Sequence, residues 1–399
     1  MSHKIERSII AAAGILLLSL PIAAQELTEA AALRRFEQEN AELKGLAAQV
    51  RGVRADVRSW SKLDNPALIY NQEDAAGTRD EFFLVQQSLP LNGRLGLLRK
   101  ASRAAVGSAE SEASYARILL RSDFRAAFFE LLASQERLAL LESGARPLRE
   151  IARALGEREK EGEGSTFDKL RAERELAEAE ASLETARIRL AEAQARLGSF
   201  LAPGPGPEPL RATGAFTSGA AIPSLEELTA RALKARGDYL AEESRVERFG
   251  YERRAAQRLL IPEPVLSVGM KKTTLPGLSD QGYALAVTIP LPLFNSGGAL
   301  RARAGAAVEQ SEAAAAELRR TTEAQVKAAY VALGSNRRIA EQFARNLGDN
   351  GEKLSRISRL SYEEGEQGIL ELLDAHRVAL SSRLRRWSWN SRPSWPRWN

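Results

Sequence analysis

The feature that most constrains this chain is that its order of elements is written twice, at an offset close to two hundred residues. Leu43 in ENAEL matches Leu240 in RGDYL, and Asn65-Pro66-Ala67-Leu68 matches Glu263-Pro264-Val265-Leu266. Pro90-Leu91 then matches Pro292-Leu293, and Ala127-Phe128 matches Ala329-Tyr330. Gly162-Glu163-Gly164-Ser165 matches Gly365-Glu366-Gln367-Gly368, and Ala172 matches Ala375. Each match is cheap alone, but their shared order and near-constant offset predict a duplicated subdomain, not a short-period solenoid. Each copy reads as an amphipathic helix (27–57 and 225–257), two short strands, a very long helix, a sharp turn and a returning helix. Residues 202–224, APGPGPEPLRATGAFTSGAAIPS, read as a Pro/Gly-rich linker, closed by a capping box at Ser224-Leu-Glu-Glu227 that restarts helix. The expected fold class is α+β, mostly α.

The first long helix spans Gly93 to Glu161, roughly 100 Å if unbroken at 1.5 Å per residue, with Gly144 and Pro147 as places to bend or break. Its counterpart runs from Gly298 to Tyr362, with Gly351 as a loosening point. Leu131, Leu132, Leu138 and Leu141 recur at helical spacing among many alanines, which lets helices approach closely. By themselves the helices are equally compatible with a free-standing antiparallel coiled coil.

The strands argue for more. In Tyr283–Ile289 the large residues Tyr283, Leu285, Val287 and Ile289 share one face, and Ala284, Ala286 and Thr288 the other. Leu266, Val268 and Met270 alternate in the same way with Val265, Ser267 and Gly269, and Glu81–Leu89 is a less regular strand. Large apolar residues outward and small or polar ones inward is the pattern of a membrane barrel, although half-buried soluble strands alternate too.

Composition excludes several function classes. With no Cys and two His, the chain has no disulfide, thiolate zinc site or Cys nucleophile. Its net charge of +5 is spread over interleaved Arg and Glu, as in ELAEAEASLETARIRLAEAQARL, a solvated ion-paired face and not a nucleic-acid patch. Residues 1–24 read as a signal peptide: Lys4 and Arg7, an apolar Ile9–Leu20, and cleavage after Ala24. No later run of eighteen apolar residues exists, so entry into a membrane would require a β-barrel. About four strands per chain fall short of the eight of the smallest single-chain barrels, so several chains would have to share one.

This combination of duplicated layout, SLPLNGRL corner, NPAL strand start and second turn YEEGEQGILELLDAHR resembles the outer membrane efflux family, the TolC-like outer membrane factors. The resemblance covers residues 25–201 as a first repeat and 225–386 as a second, nearly all of the chain that follows the signal peptide. It implies a homotrimer whose strands form one barrel in the outer-membrane lipid, continued by an α-helical tunnel across the periplasm. It implies passive export of substrates such as metal cations or drugs, delivered by an inner-membrane pump and a periplasmic adaptor, with no enzymatic activity, no cofactor and no resident metal. In that reading Pro90, Asn92, Gly93, Pro292 and Asn295 are the joints where strand becomes helix. The tips Gly162, Gly164 and Ser165, and Gly365 and Gly368, are where adaptor hairpins dock. Glu371 and Asp374, three apart on one helix face, match the family's acidic periplasmic constriction, and Tyr362 falls at its latch tyrosine. Gln367 stands where the best-known latch has Arg, and the first repeat has Asp168 and Arg171 in place of the acidic pair. His376 is expected to be a lone helix-surface residue. The PLNGRLG corner is more similar to the heavy-metal cation branch than to the drug branch.

Two alternatives share these residues: the outer channel of a type I protein secretion system, and a periplasmic coiled-coil adaptor without a membrane span. The last residues, 387–399, depart from the family: RRWSWNSRPSWPRWN, residues 385–399, holds four of the five Trp, and the final helix is expected to lose its pattern near Trp387.

Overall fold

The computed structural model of the protein describes residues 26–202, 209–216, 221–347 and 350–391. The expected signal peptide, parts of the expected linker and the end of the Trp-rich tail lie outside the described residues. Short strands β1 (Glu26–Thr28) and β4 (Arg211–Thr213) pair in parallel. Strands β2 (Ala67–Ala75), β3 (Thr78–Ser88), β5 (Val265–Leu275) and β6 (Leu278–Thr288) form one antiparallel sheet in the order β2-β3-β5-β6. Each repeat contributes one hairpin. The first turns through Ala76-Gly77, both at positive φ (51° and 80°), the combination a type I′ turn needs; the second uses Pro276-Gly277, with Gly277 at φ 84°.

The register aligns the outward residues in rows. Tyr70, Phe83, Met270 and Tyr283 lie side by side, and so do Leu68, Val85, Val268 and Leu285. All eight are about half exposed or more, Tyr283 reaching 96%. The opposite face carries Ile69, Leu84, Gly269 and Ala284 in one row and Ala67, Gln86, Ser267 and Ala286 in the next. The alternation expected from Leu266–Met270 and Tyr283–Ile289 holds in these rows near the joints, and toward the hairpin turns the same face becomes polar, with Gln72, Glu81, Lys272 and Gln281 in the next row. An exposed apolar band of this kind marks a membrane or partner surface.

Helix α3 (Arg94–Lys160) is a single 67-residue helix, roughly 100 Å long. It runs without a break through Gly144 and Pro147, the two places where the sequence allowed a bend or break. It returns as α4 (Thr166–Ser199), whose inner seam is a strict heptad: Ala172, Ala179, Ala186 and Ala193 alternate with Leu176, Leu183, Leu190 and Leu197. Small alanines against leucines let α4 lie close to α3. In the second repeat the long segment is α7 (Gly298–Leu347) and α8 (Asn350–Glu363), returning as α9 (Ile369–Ser391).

The two amphipathic helices expected at 27–57 and 225–257 are each divided. Asn40 ends α1 (Glu29–Glu39) and caps α2 (Ala41–Asp56), its Oδ1 accepting from the Leu43 amide at 3.1 Å. Arg236 separates α5 (Leu225–Ala235) from α6 (Gly237–Gln257). Ser224 caps α5 as the capping box requires, accepting from the Glu227 amide at 3.1 Å.

Against the middle of α3 lies the densest core. Phe36, Phe124, Phe128, Leu131 and Leu197 are essentially fully buried, with the Phe36 and Phe124 rings stacked 4.6 Å apart and Phe200 edge-on to both. β4, inside the stretch read as linker, is held here: the Gln135 side chain donates to the Ala212 carbonyl and accepts from its amide, at 3.0 and 2.8 Å. The final helix, whose pattern was expected to fade near Trp387, extends a few residues past it. It continues to Ser391, with the Trp387 indole donating to Glu136 of α3 at 3.1 Å.

Candidate functional site

Three places in the fold carry the residues singled out by the sequence: the joints between sheet and helices, the far tips of the helical hairpins, and the first turns of α9.

At the first joint Pro90 centres a tight turn, the Leu91 amide donating to the Leu89 carbonyl at 2.8 Å; Pro292 does the same between Leu293 and Leu291 at 2.9 Å. Gly93 then takes φ 75°, which favours glycine, and α3 begins. Asn92 is the fastener. It is 6% exposed, and its Nδ2 reaches the carbonyls of Arg258 and Ile261 at 3.2 Å each and Glu263 Oε1 at 2.9 Å, while its Oδ1 accepts from the Arg94 amide at 3.0 Å. One side chain thus ties the first repeat's joint to the turn that opens the second repeat's hairpin. Asn295 makes the matching local bond, accepting from the Gly297 amide at 3.3 Å, but is itself exposed.

Both tips end their helices alike. Gly162 and Gly365 lie at φ 81° and 78°. The next residue's amide reaches back, Glu163 to the Arg158 carbonyl at 3.0 Å and Glu366 to the Ser361 carbonyl at 2.8 Å, the Schellman closure. A Cβ on Gly164 would sit 2.7 Å from the Glu159 backbone nitrogen, so only glycine fits there. Ser165 stands at the N-cap of α4 without a side-chain capping bond. At Gly368 an added Cβ would sit 3.0 Å from Glu371 Oε2, so the Glu371 carboxylate folds back over the start of its own helix, where the helix dipole favours negative charge.

Glu371 and Asp374 are both exposed, on the same side of α9, while Leu372 and Leu373 between them are buried against Leu148, Leu155 and Ala172. The sequence did not single out Arg377. It bonds Asp374 at 2.5 Å and lies 3.9 Å from Glu175 of α4. The Asp374 hydrogen bond and the charge of Glu175 hold the Arg377 guanidinium above its ordinary pKa. The acidic pair is thus an acidic cluster with one fixed cation inside it. Tyr362 packs against the tip core and lines a cavity of about 360 Å³ between α3, α8 and α9. Gln367 accepts from the Ser358 hydroxyl at 3.0 Å, closing the second tip internally.

His376 corrects an expectation. It is half-buried, and its Nε2 lies 2.8 Å from the Gly144 carbonyl of α3. Gly144 is what permits this: a Cβ there would come within 2.7 Å of the Leu380 methyl that lies over it. His376 and Leu380, four apart, seat α9 on the turn of α3 that precedes Pro147. Nothing in the spacing of a lone histidine signals a partner more than two hundred residues away.

Comparison with known proteins gives a consistent result. The model of the family described as outer membrane efflux protein matches residues 228–387, essentially the second repeat. A curated relative, the cobalt-zinc-cadmium resistance protein CzcC of Cupriavidus metallidurans, is 28% identical, with 91% of this chain and 86% of that protein covered. Among solved structures, the outer-membrane channel OprN superposes with a TM-score of 0.73 at 20% identity, covering 91% of this chain and 86% of that one. The CmeC outer membrane channel of Campylobacter jejuni gives 0.75 at 14% identity, with 91% and 82% covered. CusC, a structure concerned with transmembrane channel formation, gives 0.72 at 18% identity, with 91% and 88% covered. At these identities the solved structures show the shared fold.

Proposed function

We propose that the protein is the outer-membrane channel subunit of a tripartite efflux system, a reading supported by the match of its second repeat to the outer membrane efflux protein model and by the fold the whole chain shares with outer-membrane channels. Three copies share one barrel in the outer membrane, their helices form the periplasmic tunnel, and the hairpin tips receive a periplasmic adaptor coupled to an inner-membrane pump. The protein is not an enzyme: it lowers no chemical barrier and lets a delivered substrate diffuse out.

The observation that carries this reading is the sheet. Its strands are 9 and 11 residues long, the length of a tilted strand crossing a bilayer. Its outward rows near the joints are apolar, and β2 and β6 leave it with two open edges, which hydrocarbon does not tolerate. Glu371 and Asp374 are read as the ring at the periplasmic constriction, attracting cations to the entrance. The substrate class is divalent metal cations, supported by the name of the CzcC relative and by that acidic entrance.

The test is restoration of metal tolerance. In cells whose cation pump and adaptor are retained but whose outer channel is deleted, expression of this chain is expected to restore growth on zinc, cobalt or cadmium salts. Restoration of drug tolerance in a matching drug-pump strain, without restoration of metal tolerance, would overturn the substrate assignment.

A further inference from the structure

The apolar face of the sheet is too short to cross a bilayer by itself. On β6 it runs from Tyr283 to Ile289. That is about 20 Å along the strand, and about 15 Å along the membrane normal at the ~35–45° tilt of such barrels. The apolar band of a membrane barrel is about 25 Å tall. The shortfall is not made up toward the hairpin turns, where the next row is Gln72, Glu81, Lys272 and Gln281.

It is made up at the joints. Leu91 and Leu293 hold equivalent positions in the two repeats and are 76% and 75% exposed. Leu63 and Ile261 are a second equivalent pair, and both are exposed. Leu291 and Phe294 add to the same surface, Leu291 following Ile289 by two residues. Both repeats thus present apolar side chains at the same two places, continuous with the outward rows of the sheet.

Just beyond this collar the surface turns basic. The segments around the joints, 51–64, 91–103, 252–263 and 291–303, hold thirteen Lys and Arg against four Asp and Glu, whereas the whole chain has 57 against 52. Arg99, Lys100, Arg103, Arg253, Arg254 and Arg303 are all exposed. Among the described residues none of these six has a carboxylate within 4 Å, although nearby Arg54 and Arg248 are paired with Glu110 and Glu252. Two of the six converge on one half-buried ring. Lys100 Nζ of α3 lies 5.8 Å and the Arg254 guanidinium of α6 lies 4.6 Å from the centroid of Tyr251. Trp60, in the turn before β2, holds Arg248 in the same way at 5.0 Å.

From these observations, and resting on the channel reading above, we infer that the joints are seated within the inner leaflet of the outer membrane and that the basic collar binds the headgroups of anionic phospholipids, with Lys100, Tyr251 and Arg254 at its centre. Apolar, aromatic and then basic is the order of hydrocarbon, interface and phosphate. Arg99 and Lys100 lie about 10 Å of helix past Gly93, and their stems run back along the apolar collar while their heads stay at phosphate level. The charge selects the occupant. A second copy would bring the same positive surface, and a neutral apolar partner would leave the unpaired cations unanswered. The adaptor is read as docking at the far tips, roughly 100 Å away along α3.

Two measurements on the purified trimer, its conductance established first, test this. The chain has no cysteine, so Leu293→Cys and Phe294→Cys each carry a single nitroxide label in nanodiscs. Both labels are expected to be open to oxygen and shielded from a water-soluble nickel chelate, and a label at Arg103→Cys is expected to be open to the chelate. Labels at Leu293 and Phe294 that are open to the chelate, or shielded from both reagents as in a contact between copies, would overturn the seating and leave the channel reading standing. Native mass spectrometry after incubation with equal phosphatidylglycerol and phosphatidylcholine is expected to show phosphatidylglycerol retained preferentially. Lys100→Gln/Arg254→Gln should cut that preference by about fivefold or more, fivefold being about the effect of one cation near a membrane surface. Lys100→Arg/Arg254→Lys, which keeps both charges, should preserve it. Equal retention of the two lipids by the parent, or an unchanged preference in the Gln variant, would overturn the headgroup site. A monomeric, non-conducting protein would overturn the channel reading and this inference with it.

Discussion

Two glycines set how closely the helices of the tunnel wall approach, and they should respond differently to the same change. At Gly237, the first residue of α6, an added Cβ would lie 2.3 Å from the Ser111 carbonyl oxygen and 2.9 Å from Tyr115 Cβ. An unstrained carbon–oxygen contact needs roughly 1 Å more, and the obstacle is backbone of α3, which no rotamer change can move. Overpacking against backbone that cannot give costs about 2–3 kcal/mol, the upper part of the usual range, partly offset by the ~1 kcal/mol that Ala gains over Gly within a helix. Gly237→Ala is therefore expected to destabilise the α3–α6 contact by about 1–2 kcal/mol, which corresponds to amides around Gly237 exchanging ~5–30-fold faster. At Gly144 the obstacle is different: the Leu380 methyls at 2.7 and 2.8 Å, the far end of a flexible side chain. Gly144→Ala should loosen α9 and lengthen the His376–Gly144 contact, and Leu380→Ala in the same protein should remove the clash. The pair is expected to be non-additive by at least ~0.5 kcal/mol, whereas no side-chain truncation should rescue Gly237→Ala. Hydrogen exchange read by mass spectrometry on the detergent-solubilised protein measures both. If Gly237→Ala exchanged as slowly as the parent, or more slowly, α6 would not be seated on α3 as described and the reasoning would fail.

Other consequences can be checked in the same protein. Removing both carboxylates with Glu371→Ala/Asp374→Ala should lower the cation selectivity of the reconstituted pore, and Arg377→Ala should raise it by removing the cation between Asp374 and Glu175; reversal potentials in a salt gradient measure both. Asn92→Ala removes the Nδ2 donor shared by the Arg258 and Ile261 carbonyls and Glu263, at about 1–3 kcal/mol, and should lower the midpoint of thermal unfolding. Val268→Lys places a charge in the outward apolar rows at about 2–4 kcal/mol near the bilayer midplane, and should reduce the yield of membrane-inserted protein. Ala286→Lys, on the opposite face, should insert and change conductance instead.

Much of this fold was legible because duplication repeats its own signals. Tyr283–Ile289 showed its two faces directly, because a strand edged by solvent or lipid alternates at period two. The tips were legible through Gly162 and Gly365, since a Schellman closure needs a residue that tolerates positive φ. Pro147 does not end the helix, because in so long a helix the turns on either side, packed against α4 and α9, hold it through the missing hydrogen bond. The division at Asn40 was foreshadowed only by a residue type that favours caps. The contacts that define the candidate gate were the least legible. Arg377 with Glu175 and His376 with Gly144 are pairings across helices, and local spacing carries no information about which helix lies opposite. The heptad of Ala172 to Leu197 was present in the sequence all along, but it names a seam and not its partner.

The central claim, that copies of this chain share a barrel and conduct ions through it, is tested most directly by single-channel recording of the purified protein in planar bilayers, with its oligomeric mass fixed beforehand. A trimer giving discrete, cation-selective openings is the predicted result. A monomer or dimer that stays in solution without detergent and gives no conductance would contradict it.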